Sequence, residues 1–78
     1  MNPTITRNGK IPNQNDYNWN QQTKTFSTRF GSFELNFVNF YDSNIICGSD
    51  CSIMTDFNCV VRCGNFCDIN SFVNSTII

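Results

Sequence analysis

All five cysteines of this 78-residue chain lie in one short stretch, CGSDCSIMTDFNCVVRCGNFC, and the chain has no histidine. Four of them form two CGxxC units: Cys47 with Cys51, and Cys63 with Cys67. Closely spaced cysteine pairs are the usual way to present thiolates to a structural zinc ion. The spacing therefore predicts one zinc bound by these four side chains.

Zinc binding at this spacing requires a turn inside each unit. Residues four apart in an extended strand lie about 13 Å from each other, too far to share one metal. Gly48-Ser49 and Gly64-Asn65 are good turn formers, and we expect each glycine to adopt the positive φ of a tight turn.

Two other states of the cysteines remain open. In stacked strands Cys47 would lie over Cys63 and Cys51 over Cys67, either as a ladder of buried thiols or, because neighbouring strands are about 4.8 Å apart, as disulfides. Cys59 falls outside both units, and we predict a buried thiol there.

The elements that carry these cysteines have a period of two. From Phe33 onward apolar residues occupy mainly odd positions, and every charged residue is even-numbered: Glu34, Asp42, Asp50, Asp56, Arg62 and Asp68. Period two is the signature of extended chain with one buried face. We predict an all-β or nearly all-β domain in which odd positions are buried and even positions are exposed.

A 16-residue self-similarity aligns 45–61 with 61–77, and extending it upstream places Leu35 under Cys51 and Ser43 under Cys59. The chain accommodates about three such repeats, each made of short strands, and the zinc would cross-link them. We divide this single domain into a polar leader, 1–32, and a cysteine-containing β body, 33–78. Asn8-Gly9 predicts a type I′ turn within the leader.

Charge separates along the same boundary. The leader carries +3, from Arg7, Lys10, Lys24 and Arg29 against Asp16, whereas the body carries −4. An acidic body disfavours direct nucleic-acid binding, which needs clustered Lys and Arg. No apolar run suggests a signal peptide or a membrane span, so we expect a cytoplasmic protein.

The sequence offers few of the side chains and motifs that catalysis uses. Without histidine the usual general base is missing, and the sequence has no phosphate-binding glycine motif. We expect no enzymatic activity. CGSDCSI and CGNFCDI resemble the hexapeptide units of left-handed β-helix acyltransferases, a resemblance that implies a β-helix module without that family's catalytic histidine.

The outward positions of the body combine acids with aromatic residues, as protein-recognition surfaces do. The predicted partner-binding residues are Asp50, Asp56, Asp68, Phe66 and Phe72. A very small, acidic, cysteine-stapled, non-enzymatic chain resembles in kind the phage-encoded anti-CRISPR inhibitors. That resemblance implies a bacterial host and stoichiometric binding to a larger basic nucleic-acid-handling protein, a type II CRISPR effector nuclease, which blocks its loading with DNA.

Two further expectations concern a competing function and the oligomeric state. A structural or secreted cysteine-rich domain is the competing function, which titration of free thiols distinguishes. The segment 72–78 continues the strand pattern, and an open strand edge favours pairing with a second chain. We therefore expect a homodimer through this segment.

Overall fold

The computed structural model describes residues 3–70 and the strand backbone of 76–77. Its elements are nine short strands and one turn of 3-10 helix. The strands are β1 (Thr4–Arg7), β2 (Asn18–Asn20), β3 (Thr25–Ser27), β4 (Phe33–Asn36), β5 (Asn44–Ile46), β6 (Ser52–Met54), β7 (Val60–Arg62), β8 (Asp68–Asn70) and β9 (Thr76–Ile77); the 3-10 helix is Gln14–Asp16. The prediction of an all-β domain is confirmed.

The strands form two sheets, and from β3 onward the chain alternates between them. One sheet has the order β1-β4-β6-β8 and the other β2-β3-β5-β7-β9. Pairs from β3 and β4 onward are parallel, so the chain winds as a solenoid with one strand of each sheet in every coil. The antiparallel strands β1 and β2 lie against β4 and β3, where the leader covers the start of the winding.

Paired residues of neighbouring strands are 16 positions apart in the sequence in the later coils, and further apart in the first coil. Asn44 pairs with Val60, and Ser52 with Asp68, each an offset of 16. Leu35, however, pairs with Ile53, an offset of 18. The predicted alignment of Leu35 with Cys51 is therefore wrong, because the connection between β4 and β5 holds two extra residues.

The core lies between the sheets and is built from their inward side chains. Its buried members are Phe26, Phe33, Leu35, Phe37, Ile45, Cys47, Cys51, Ile53 and Val61. Aromatic rings fill the end next to the leader, where Tyr17 stacks on Phe26 and Trp19 meets Phe37 edge-on. Favourable ring geometry of this kind adds to the area that the rings bury.

The expected parity holds for most of the body and fails at one corner. Tyr41 and Phe57, both odd, are exposed and stacked on each other with centroids 5.9 Å apart. Asp56, which is even, is only 6 % exposed. The reason is local: residues 57–58 form a turn directly after Asp56, and a turn interrupts the alternation that a strand imposes.

The predicted turn at Asn8-Gly9 is present. Both residues have positive φ, 52° and 75°. Arg7 and Lys10 exchange two backbone hydrogen bonds across it, of 2.8 and 3.1 Å. This is the type I′ geometry that Asn-Gly favours. The strand entering the turn, β1, pairs along its length with β4 rather than with the residues that follow Lys10.

Candidate functional site

The two CGxxC units lie one above the other at a corner of the solenoid, between β5 and β6 and between β7 and β8. We call residues 47–51 and 63–67 the cysteine corner. Its coils are joined by the backbone, because Gly64 N–H donates to Gly48 O at 3.2 Å and Asp50 N–H to Asn65 O at 3.0 Å. The chain bends inside each unit, at 49–50 and at 65–66, one residue after the predicted turn positions Gly48-Ser49 and Gly64-Asn65.

The glycines serve this corner by their small size. Gly9 is the glycine with positive φ among the described residues, so the prediction of positive φ at Gly48 and Gly64 is wrong. A Cβ on Gly48 would lie 2.9 Å from the carbonyl carbon and oxygen of Phe30. A Cβ on Gly64 would contact Ser49 of the coil below. Close approach of successive coils therefore excludes side chains here.

Within each unit the two thiols lie close together, Cys51 near Cys47 and Cys67 near Cys63. The units also meet each other, since the thiols of Cys51 and Cys67 each lie 3.5 Å from the carbonyl oxygen of Gly48. Two sulfurs that each lie 3.5 Å from the same oxygen are at most about 7 Å apart. The four thiols therefore form one cluster.

Burial controls the protonation of this cluster. Desolvation, followed by the proximity of Cys51, raises the pKa of Cys47 far above the ordinary range of a thiol. Desolvation and the hydrogen bond with Cys67 raise the pKa of Cys63 to about 11. Both thiols are therefore protonated at neutral pH, and a thiophilic ligand has to displace their protons.

All five cysteines are free thiols in this structure. Within residues 3–70, no group of three or more cysteine and acidic side chains converges on a point where a metal ion would be coordinated. Cys47 and Cys51 are buried, and Cys63 and Cys67 are half-buried. The strand registers on either side of the corner stack Cys47 next to Cys63 and Cys51 next to Cys67.

Cys59 stands apart from the cluster, at the opposite corner of the solenoid. It is completely buried, and its thiol donates to the carbonyl oxygen of Phe40 at 3.3 Å. The prediction of a buried thiol at this position is confirmed.

Equivalent residues of three successive coils, two of them in the cysteine corner, have an unusual backbone. Ser32, Asp50 and Phe66 stand at equivalent positions of successive coils, and all three have left-handed φ of 61–64°. Asp tolerates this conformation, whereas a bulky residue such as Phe rarely adopts it. Phe66 is also 87 % exposed. An exposed aromatic ring thus projects from a strained position, with Asp50 in the coil below.

The predicted partner-binding residues do not all share this surface. Asp50 and Asp68 are exposed, Asp50 at the position equivalent to Phe66 one coil earlier and Asp68 two residues after Phe66 in the chain. Asp56 is buried, and its carboxylate accepts the backbone N–H groups of Asn39 at 2.9 Å and Phe57 at 3.0 Å. The expectation that Asp56 faces outward is therefore wrong: it closes the turn. Phe72 and most of the proposed dimer segment lie outside the described residues.

Sequence reasoning missed a cleft formed by the leader. It is about 430 Å³ in volume and lies between the 3-10 helix and the end of β3. Residues 15–18 form one wall and residues 27–30 the other. The available signal was the net positive charge of the leader, which the sequence analysis connected with no site.

No protein-family model matches the chain, and no characterised protein or solved structure matches its sequence or its fold. None of the described residues forms a helix long and apolar enough to cross a membrane.

Proposed function

We propose that this protein is a non-catalytic inhibitor that binds a larger basic protein through the surface formed by Phe66, Asp50 and Asp68. The observation that carries the proposal is Phe66, an 87 % exposed aromatic ring at a φ of 61°. A strained backbone position persists where the strain serves a function. An exposed ring contributes nothing to the core, so the fold alone gives no reason for Phe at this position.

The chemistry of the surface indicates its partner. Buried aromatic rings supply much of the affinity at protein interfaces, while charged groups around them steer association and exclude partners of the wrong sign. Asp50 and Asp68 give this surface two carboxylates. A positively charged groove is the complementary surface, and nucleic-acid-handling proteins present one.

From its resemblance in kind to phage-encoded anti-CRISPR inhibitors, we take a type II CRISPR effector nuclease of the bacterial cytoplasm as the target. The inhibitor would occupy the groove that receives DNA, so that loading with DNA is blocked.

The test uses a substitution that separates binding from folding. Phe66→Asn removes the ring and places at this φ a residue that tolerates it, so we expect the free energy of unfolding to rise by about 1 kcal/mol. Affinity for the effector should fall at least tenfold, mainly through faster dissociation. If Phe66→Asn binds as tightly as the wild type, the proposed surface is wrong.

The carboxylates are tested by association kinetics. The double variant Asp50→Lys, Asp68→Lys should associate more slowly than the wild type, and its rate should depend less on salt. Asp42→Lys is the matched control for Asp50→Lys, because Asp42 is also exposed and has the same left-handed φ, 62°, at the opposite corner. Equal effects of both changes would indicate net charge rather than a defined surface.

Beneath this surface we propose that the thiol cluster binds one zinc ion through Cys47, Cys51, Cys63 and Cys67. The clustering of the four thiols supports this site. Their sulfurs have to converge further, because tetrahedral Zn–S bonds of about 2.3 Å require sulfur–sulfur separations of roughly 3.8 Å. Bound zinc would fix the Gly64–Phe66 turn, and with it the ring that contacts the partner.

Metal analysis of protein purified without chelator tests this part, with about one zinc per chain expected. Chelation should lower the melting temperature, because the binding energy of a structural zinc is folding energy. Cys63→Ser should abolish zinc binding, and Cys59→Ser should retain it. Metal-free wild-type protein whose melting temperature is unchanged by added zinc would refute the site.

A further inference from the structure

The cleft in the leader is a shallow depression that is wide open to solvent. Its volume of about 430 Å³ is within the range of ligand pockets, about 300–1,000 Å³. Two half-buried aromatic residues, Tyr17 and Phe30, line it, together with the exposed amides Asn15 and Asn18 and the guanidinium of Arg29. It therefore combines aromatic surface, hydrogen-bonding amides, the cation of Arg29 and the carboxylate of Asp16, which is paired with Arg7.

Hydrogen bonds between its walls preform the cleft. The Thr28 hydroxyl donates to the carbonyl oxygen of Asp16 at 2.6 Å and accepts the N–H of Phe30 at 3.1 Å. Arg7 links the first wall to Gly31, the residue after the second wall, through an ion pair with Asp16 of 3.3 Å and a hydrogen bond to Gly31 O of 3.2 Å. These bonds lower the ordering cost that a ligand has to meet.

The two arginines of this region have different roles. Both guanidiniums lie over the ring of Phe30, with Arg7 Cζ at 4.9 Å and Arg29 Cζ at 5.2 Å from its centroid. Asp16 neutralises Arg7. Arg29 is exposed and makes no ion pair in the described part of the chain. Arg29 is therefore the cation of this cleft that a ligand can engage.

We propose that this cleft binds a small anion attached to a planar ring, the chemistry of a nucleoside monophosphate. The guanidinium of Arg29 pairs with the phosphate, since arginine presents several N–H donors in a geometry that matches phosphate oxygens. The ring lies against Tyr17, because the guanidiniums of Arg7 and Arg29 already cover Phe30, and Asn15 and Asn18 bond to its polar edge. Phe30 of the cleft contacts Gly48 of the cysteine corner, but no residue belongs to both sites, and nucleotide binding does not depend on the function proposed above.

The test is titration calorimetry of the intact protein with AMP, ribose 5-phosphate and adenosine as separate probes. AMP should bind, and the two partial ligands should bind at least about fivefold more weakly, because each lacks one of the two contacts. Ribose 5-phosphate as tight as AMP would overturn the ring contact, and adenosine as tight as AMP would overturn the anion contact. No binding of AMP would overturn the site itself.

Two variants locate the binding. Arg29→Gln should weaken AMP at least about tenfold, because it removes a charge-assisted hydrogen bond. Arg62→Gln, which removes an exposed arginine from β7, should leave the affinity unchanged. Asn18→Asp retains side-chain size, and its negative charge should also weaken AMP. Thermal melting of each variant verifies folding. Equal losses for Arg29→Gln and Arg62→Gln would show a general charge effect and overturn the proposal.

Discussion

Thr55→Val should make the protein more stable. Thr55 is completely buried, and its hydroxyl has no hydrogen-bond partner among the described residues. Its backbone N–H donates to Asn70 O at 2.9 Å, a bond that valine retains. The substitution replaces a buried, unsatisfied hydroxyl by a methyl group of nearly the same shape, with the same branching at Cβ.

The expected gain follows from the cost of burying a polar group without a partner, about 1–3 kcal/mol. At the lower end of that range the melting temperature of a domain of this size rises by about 4–8 °C. Thermal and urea unfolding, followed by circular dichroism, measure both quantities on one sample.

Thr6→Val is the matched control, because the Thr6 hydroxyl donates to Glu34 Oε1 at 2.8 Å. The same chemical change there removes a hydrogen bond at a half-exposed site and should lower the free energy of unfolding by about 0.5–1 kcal/mol. Opposite signs for the two variants are expected. A Thr55→Val protein no more stable than the wild type would refute the reasoning, since the hydroxyl would then be satisfied in solution.

Three other predictions concern the leader, the corner and Cys59. The N–H of Gly9, followed by the Thr6 hydroxyl, lowers the pKa of Glu34 below 4.5. The contribution of Glu34 to stability is therefore present above about pH 4.5 and is lost as pH falls through the lower folded pKa. Glu34→Gln should make the midpoint of urea unfolding depend less on pH between pH 6 and 3. Gly48→Ala should cost about 1–3 kcal/mol in urea unfolding, because its Cβ meets the backbone of Phe30, whereas Gly9→Asn should be nearly neutral. Cys59→Ser should change the melting temperature little, since a hydroxyl also donates to Phe40 O, and a drop above about 10 °C would contradict this.

Period two and local turn chemistry predicted much of the fold. Alternation from Phe33 onward identified the buried face, and Asn8-Gly9 identified a type I′ turn, because both signals depend on neighbouring residues alone. The register of the first coil was not predictable in this way. It depends on the length of the connection after β4, where two additional residues shift Leu35 from Cys51 to Ile53.

The candidate sites show the same limit. The clustering of the four thiols followed from the CGxxC spacing, but the role of Gly48 depends on contact with Phe30 of another coil. Asp56 was predicted to be exposed because it is even-numbered. In the structure its carboxylate is buried, because it accepts two backbone N–H groups and so closes a turn. The leader cleft joins residues 15–18 to 27–30, and no local pattern signals such a contact.

The most direct test of the proposed inhibition is target-DNA binding by a guide-loaded type II CRISPR effector, measured with the protein added before or after the DNA. The account predicts that equimolar protein added first prevents DNA binding, that Phe66→Asn relieves the block, and that protein added after the DNA has little effect. Unchanged DNA binding in the presence of excess folded wild-type protein would contradict the account.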